Sequence, residues 1–231
     1  MTTFVSILEV LGSFLLGVAA RSAVFLAGLL ALALPALLLA VLWRAFQRRR
    51  EASVEEAGGL SFRRGAYYAP NHTWLAPAAH GLRVGLDDFA QRLLPSASAV
   101  ELPRRGMQVR RGDPVAVVRA GGRTIRITAP VDGRVLAANG TLRGDPGLVK
   151  REPYGRGWLF ALAPSDGIYM TFPQDREGGG WLRRERDRLD RYVEEELGLA
   201  AADGGALPPP APSTLGEDGW QRVLAVFLRA A

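Results

Sequence analysis

The 231-residue sequence contains no cysteine, which excludes disulfides, thiolate metal sites and thiol nucleophiles. Histidine is nearly as scarce: His72 and His80 are the only two, too few for a histidine-rich metal centre. Lysine occurs once. Of 29 basic residues Lys150 is the single lysine and the other 28 are arginine, so chemistry that requires an amine has one side chain to draw on. Ser-His-Asp order, a glycine-rich phosphate loop and metal-ligand spacing are all missing. The chain therefore reads as a non-enzyme with no catalytic residues, no metal and no cofactor. Its net charge of +6 is unaccompanied by aromatic platforms or a base-reading motif, which removes nucleic acid from the expected partners.

What is present divides sharply along the chain. Residues 23–43 run AVFLAGLLALALPALLLAVLW without a charge, and at about 1.5 Å per residue such a helix crosses the roughly 30 Å hydrocarbon core of a bilayer. A transmembrane helix is expected there, with Pro35 tolerated as a kink and Trp43 at an interface. A cleaved signal peptide fits less well, because its apolar region is shorter and follows a basic start. Arg44, Arg48, Arg49 and Arg50 follow the span while Arg21 alone precedes it, so the positive-inside bias assigns the rest of the chain to the cytoplasmic face. In residues 1–22, Phe4, Ile7, Leu8, Leu11 and Leu15 share one helical face, apart from Ser6, Glu9 and Ser13. This suits an interfacial amphipathic helix; the alternative is a first transmembrane helix, in which Glu9 is costly. Residues 44–66 read as a basic juxtamembrane linker.

From residue 67 to 166 short apolar runs alternate with Gly and Pro punctuation, the pattern of a mainly β domain. Strands are expected over Gly81–Leu86, Ala97–Leu102, Val115–Arg119, Arg123–Thr128, Gly133–Ala138 and Gly157–Leu162. Between the first two, Asp87 can cap a short helix that aligns Phe89, Leu93 and Leu94. That role accounts for the Asp87-Asp88 pair more simply than a paired-carboxylate site. Gly121-Gly122 joins two β-patterned runs as a two-residue hairpin loop. Closing such strands into a barrel or flattened sandwich removes exposed edges.

Residues 167–200 are expected to form a helix packed on this domain. Leu182, Leu189, Tyr192, Val193 and Leu197 make its stripe over Trp181–Leu197, with Arg183 and Arg184 in the first turn and Glu194, Glu195 and Glu196 in the last, against the helix dipole. Residues 201–216 read as a Pro/Gly linker. Residues 217–231 read as an amphipathic helix whose face of Trp220, Val223, Leu224, Phe227 and Leu228 docks on a partner or on the chain's own surface, membrane contact being the lesser option.

The central motifs resemble the H protein of the glycine cleavage system. Asn71-His72-Thr73-Trp74 is similar to that family's His-x-Trp opening, and Val84-Gly85-Leu86-Asp87-Asp88-Phe89-Ala90-Gln91 to its Val-Gly-Ile-Thr-x-Phe-Ala-Gln segment. Val100-Glu101-Leu102-Pro103 with Gly106, Val109 and Arg111-Gly112-Asp113 follows its next pattern. Ala129-Pro130-Val131-Asp132-Gly133 and Glu152-Pro153-Tyr154-Gly155-Arg156-Gly157-Trp158-Leu159 complete the series. The resemblance implies a hammerhead-type barrel-sandwich hybrid with short helices, to which the transmembrane helix and the C-terminal amphipathic helices are additions. It also makes His72 a packing residue. In the family a hairpin-tip lysine carries lipoate; ungapped counting from Val117-Val118 to Ala129-Pro130 puts Gly122 at that position. Arg123 cannot stand in, since its guanidinium stays protonated and is not an acylation nucleophile.

The expected function is a membrane-anchored, non-lipoylated binding or scaffold module facing the cytoplasm, its partners being the membrane and a protein not identified by the sequence. Contact is expected at the hairpin tip, through Arg119, Gly121, Gly122, Arg123 and Arg126, and at the terminal helix. For these arginines together with Arg104, Arg105, Arg110 and Arg111 a solvated surface is the favoured reading, and a basic surface facing an acidic partner or anionic lipid is the alternative. A functional one-carbon or acyl carrier, and a membrane-fusion or transport adaptor, are the alternatives.

Overall fold

The structure, a computed structural model, describes residues 14, 17–18, 21–22, 25–26, 28–29, 31–43, 54–197 and 212–228. Two units divide the chain, Met1–Ala52 and Ser53–Ala231. In the first, all the described residues are helical, and residues 31–43 form their longest continuous run. Leu32, Leu34, Leu37, Leu38, Leu39, Val41, Leu42 and Trp43 are exposed on it. Among the described residues no helix is long and apolar enough to cross a membrane, so the span expected over 23–43 is matched only by this shorter stretch. The face of Phe4, Ile7, Leu8, Leu11 and Leu15 and the arginines at 44 and 48–50 lie outside the described residues.

The second unit begins with a correction to the expected linker. Val54–Ala57 (β1) and Leu60–Arg63 (β2) form an antiparallel hairpin instead. Its turn uses Gly58 and Gly59 at φ 60° and 73°, and the alternation of buried Leu60 and Phe62 with half-buried Ser61 and Arg63 is that of a strand lying on a core. Strands Tyr67–Tyr68 (β3), Thr73–Pro77 (β4) and Leu82–Leu86 (β5) follow, then the helix Asp88–Leu93 (α1). Next come Ala97–Glu101 (β6), Gln108–Val109 (β7), Pro114–Ala120 (β8), Arg123–Thr128 (β9) and Gly133–Ala138 (β10). The short helix Leu148–Arg151 (α2) and the strand Phe160–Pro164 (β11) complete the β-rich part. The six strands expected from the sequence all occur with small shifts of their ends; β1 to β4 and β7 are additional.

One sheet has the order β3-β4-β5-β11-β10-β7 and another the order β6-β8-β9, all pairings being antiparallel. Both contribute to one hydrophobic core: Trp74, Leu75, Val84 and Phe160 from the first meet Val118 and Ile125 from the second in a single cluster. The architecture is mainly β with short helices, as expected.

The helix Asp175–Leu197 (α3) starts six residues before the stretch marked by its apolar stripe. Its first turn holds Asp175 and Glu177, which suit the dipole, so Arg183 and Arg184 are mid-helix rather than in an unfavourable first turn. The acidic last turn stands as expected. The early start runs through Gly178-Gly179-Gly180, a sequence that costs about 1 kcal/mol per glycine relative to alanine in a helix. Packing explains the first two. A Cβ on Gly178 would come within 2.7 Å of the Tyr68 ring, and one on Gly179 within 2.9 Å of the Phe62 ring. The glycines let α3 lie directly on β2 and β3, and Leu182, Leu189 and Val193 are buried behind them.

Gly180 has no such neighbour, only the flexible end of Arg184 at 3.5 Å. Adjacent substitutions should therefore have opposite signs in urea denaturation: Gly178→Ala lowers stability by about 1–3 kcal/mol through overpacking, whereas Gly180→Ala raises it by about 0.5–1 kcal/mol through helix propensity. Equal effects at the two positions would show that the close approach of α3 is not what selects glycine.

Candidate functional site: the hairpin tip and the segment docked beside it

Strands β8 and β9 pair from Pro114↔Thr128 to Ala120↔Arg123, leaving Gly121 and Gly122 as a two-residue loop. Both have positive φ, 57° and 76°, the requirement of the tight turn that matches strand twist. Gly122 is exposed and a Cβ there would meet nothing within 4 Å; at Gly121 it would lie 3.0 Å from Pro95. The tip is thus compact and bears no side chain. Lys150 is in α2, and its amine donates to the Leu94 carbonyl at 2.8 Å. The chain's one amine side chain holds the end of α1 rather than serving the tip.

The arginines whose alternative reading is a single basic surface are not one patch. Arg119 is held by Glu101, with Nη2 at 2.5 Å and Nε at 3.1 Å. Arg126 is exposed on β9. Arg104 and Arg105 occupy the turn beside Val135, and Arg110 and Arg111 the turn beside Ala129 and Asp132. That second turn opens β8, whereas the glycines close it seven residues on, about 20 Å away at strand rise.

Arg123 links the tip to the carboxyl-terminal part. The helix Pro212–Val223 (α4) begins inside the stretch expected as linker, is interrupted at Gly216 (φ 66°, ψ 175°) and continues into a wider π-type turn over Leu224–Leu228. Arg123 donates through Nε (2.8 Å) and Nη2 (2.6 Å) to Oε2 of Glu217. Its guanidinium also lies 4.5 Å from the centre of the Trp220 ring, a cation–π distance. The bond from Arg123, with a second from Gln221, holds the Glu217 carboxyl below its usual value. Beneath the arginine, Trp220 is fully buried and its indole N–H donates to the Leu93 carbonyl at 3.2 Å, at the end of α1. Phe227 packs between Phe89 of α1 (5.7 Å between ring centres) and Tyr192 of α3 (5.8 Å), with the Arg188 guanidinium 4.7 Å from its ring.

Val223, Leu224 and Leu228 are buried too. The entire apolar face read from the sequence is therefore buried in the chain's own core, with Trp220 bonded to α1 and Phe227 between α1 and α3. The two contact surfaces expected separately, hairpin tip and terminal helix, meet at Arg123. Glu217, Phe89, Leu93, Arg188 and Tyr192 complete the site without having been marked for it. The one local signal was Glu217 three residues ahead of Trp220, which places both on one helical face.

Beneath α1 lies a polar cluster. Asp87 caps the helix, accepting from the Ala90 N–H at 2.8 Å, and its other oxygen is 2.9 Å from Nδ1 of His72. His72 is fully buried at φ 56°, stacked on Phe89 at 4.1 Å and 4.9 Å from Trp181. Its Nε2 is 3.7 Å from Glu185 of α3, which in turn accepts from Arg188 at 3.0 Å. Tyr154 donates to the Ser61 carbonyl and accepts from the Asp88 N–H, so its motif supports β2 and α1 together. Burial alone would push the His72 pKa down; the charge and hydrogen bond of Asp87, joined by Glu185, outweigh it and raise the pKa above 6.5. The ring reaches no solvent, so the His72-Asp87 pair ties the fold together and has no route to a substrate.

The geometry is that of a mainly β domain with a tight hairpin tip and a scaffold of buried motif residues. The profile of the family described as Glycine cleavage H-protein matches residues 66–170. The H protein of Micrococcus luteus is 40% identical over 116 residues, 49% of this chain and 91% of that protein. An H protein of Thermus thermophilus is 40% identical over 112 residues, 48% of this chain and 88% of that protein. A crystal structure of the Mycobacterium marinum H protein aligns at 28% identity with a TM-score of 0.41, covering 45% of this chain and 87% of that one. The chain belongs to the glycine cleavage H-protein family, with the match confined to its central domain.

Within that domain, His72, Trp74, Gly85, Asp87, Phe89 and Tyr154 account for much of the motif pattern, and each is fixed by packing. A Cβ on Gly85 would strike the Trp74 ring at 2.7 Å, and the Trp74 indole donates to the Pro153 carbonyl at 3.1 Å.

The raised His72 pKa has a definite sign. Its contribution to stability is complete below the unfolded value of about 6.5 and is lost as pH rises through the folded value. Urea stability should accordingly fall as pH rises above about 6.5, with a slope of at most about 1.4 kcal/mol per pH unit for one proton. His72→Asn, which tolerates the left-handed backbone, should flatten that slope. An unchanged slope in the variant would assign the proton to another group.

Proposed function

We propose that this chain is a non-lipoylated H-protein-like binding module, anchored to a membrane by residues 23–43 and presenting its domain on the cytoplasmic side. The observation that carries the reading is the hairpin tip: Gly122 stands where the family's lipoyl lysine is expected, and the single lysine of the chain is engaged with Leu94 from α2. A lipoyl amide needs an amine at the tip, and a two-glycine turn supplies none. What the tip does offer is Arg123 and the segment it holds, so the domain acts through contact rather than group transfer. Exposed leucines along residues 31–43 favour an apolar environment for the amino-terminal unit, and the arginines at 44 and 48–50 favour the cytoplasmic orientation.

Coexpression with a lipoyl ligase followed by intact-mass measurement tests the reading. The native chain should show the unmodified mass, while Gly122→Lys, whose side chain has open space although φ 76° strains the turn, should acquire one lipoyl group and so demonstrate that the ligase is competent, with authentic H protein as a parallel control. A lipoyl adduct on the native chain would overturn the contact reading. A carboxyl-terminal reporter fusion should give a cytoplasmic signal, and an external one would overturn the orientation.

A further inference from the structure

The groove between α1 and α3 is filled by residues 217–228. The cavity by Glu55, Arg64, Gln174 and Asp175 is open, with an Arg64–Glu55 pair already closing its charges. The cavity by Asn71, Arg111 and Thr128 has its polar side filled by the Asn71 bonds to Thr128. A buried nitrogen at the contact of the barrel with α3 carries more than any of these.

That nitrogen is Nε2 of His72, which is buried and receives no hydrogen bond among the described residues. The other ring nitrogen, Nδ1, lies 2.9 Å from a carboxylate oxygen of Asp87. A carboxylate accepts, so Nδ1 keeps its proton in both charge states of the ring, and the proton that comes and goes is the one on Nε2. What faces it is a second carboxylate, Glu185 of α3, at 3.7 Å. A protonated Nε2 offers Glu185 a donor and a positive charge; a bare one sets two acceptors against each other. Glu185 has a second partner in Arg188, which donates to it at 3.0 Å. Burial alone would raise the Glu185 carboxyl; His72 and then Arg188 pull it below its usual value.

The other polar groups around the ring are committed. Asp88, at the start of α1, accepts from the Ser61 N–H and pairs with Arg92. Burial drives the phenols of Tyr68 and Tyr154 up, and they stay neutral. On α3 the ring meets two residues four apart, Trp181 at 4.9 Å and Glu185. The start of that helix is seated by Gly178 and Gly179 against Tyr68 and Phe62, contacts with no charge to change. Beyond Glu185 it is held by buried Leu189 and Val193 and by Tyr192 against Phe227.

We propose that His72 is a proton-operated latch between the barrel and α3. With Nε2 protonated, the imidazolium bridges Asp87 and Glu185 and α3 is held closed; with Nε2 bare, Glu185 turns to Arg188 and α3 opens more often from Glu185 onward. The apolar contacts keep the helix in place in both states, so the proton sets the frequency of opening and leaves the resting fold unchanged. The sign follows from which form bonds Glu185: the latch is closed at low pH and released as pH rises through the titration of His72.

The test uses the full-length chain in mild detergent with its histidine rings labelled with nitrogen-15. The Asp87 carboxyl is itself raised by burial against the pull of His72, so the imidazole has to be read directly, and exposed His80 serves as the reference. Between pH 5.5 and 9.5 the Nε2 signal of His72 should pass from protonated to bare while Nδ1 remains protonated. An Nε2 that keeps one state throughout, or a ring that loses its proton from Nδ1, would overturn the proposal. Amide hydrogen exchange, corrected for the intrinsic rate at each pH, should show residues 185–193 opening at least tenfold more often at the upper end of the range, with a smaller change in β8 and β9. An equal change in the helix and the strands would make the effect global and would also overturn it. Glu185→Gln, whose amide can accept from a protonated Nε2 or donate to a bare one, should remove most of the pH dependence of α3 opening; retention of the full dependence counts against the latch.

Discussion

Asp87 performs two tasks with two oxygens, and the site depends on both. One oxygen caps α1 at Ala90 and the other holds His72. The cap fixes where α1 begins, and therefore where Phe89 and the Leu93 carbonyl face the terminal segment. His72 reaches toward Glu185 of α3, so the same carboxylate connects the barrel to the helix that forms the other wall of the groove. Burying such a pair is costly unless its hydrogen bonds are met, and here the cap, the imidazole and the ion pair of Glu185 with Arg188 meet most of them. The Nε2 of His72 lacks a bond of normal length, the weakest link in the chain from strand to α3.

Against this scaffold the hairpin tip is spare. A lysine would give the tip a flexible arm; two glycines give a turn whose only polar features are backbone. The residue that follows, Arg123, cannot be acylated, but it suits a different use. A planar guanidinium can bond a carboxylate edge-on while its face lies over an indole, and Glu217 and Trp220 supply both. The docked helix is thus matched to Arg123 in chemistry as well as in geometry. It also accounts for the burial of Trp220, whose N–H would otherwise be an unmet donor.

Several features are legible along the chain. The period-two run of β9 marks a strand because Ile125 and Ile127 alternate with Thr124, Arg126 and Thr128 there. Gly121-Gly122 marks a hairpin because few other pairs accept two positive φ angles. Asp87 marks a cap because it precedes an apolar face of helical spacing. Elsewhere competing signals mislead. Glu55, Glu56, Arg63 and Arg64 make the β1–β2 hairpin resemble a linker, since its one buried face is narrow and depends on α3 for cover. The glycines at 178–180 hide the start of α3, because intrinsic propensity opposes a helix that tertiary packing requires. The arginines at 104–111 and 119–126 look like neighbours because distance along the chain does not reveal that a strand separates them.

The amino-acid sequence alone determined the inventory: no thiol, one lysine, a two-glycine turn, and an apolar face on the terminal helix. Those are local properties, fixed by covalent identity and by the backbone angles that glycine permits. Only the tertiary structure decided that this face is covered by the chain itself, that Arg123 is the clamp, and that Lys150 is occupied elsewhere. Those outcomes join residues dozens of positions apart, and no local preference along the chain encodes which surface a helix will meet once the sheets have closed.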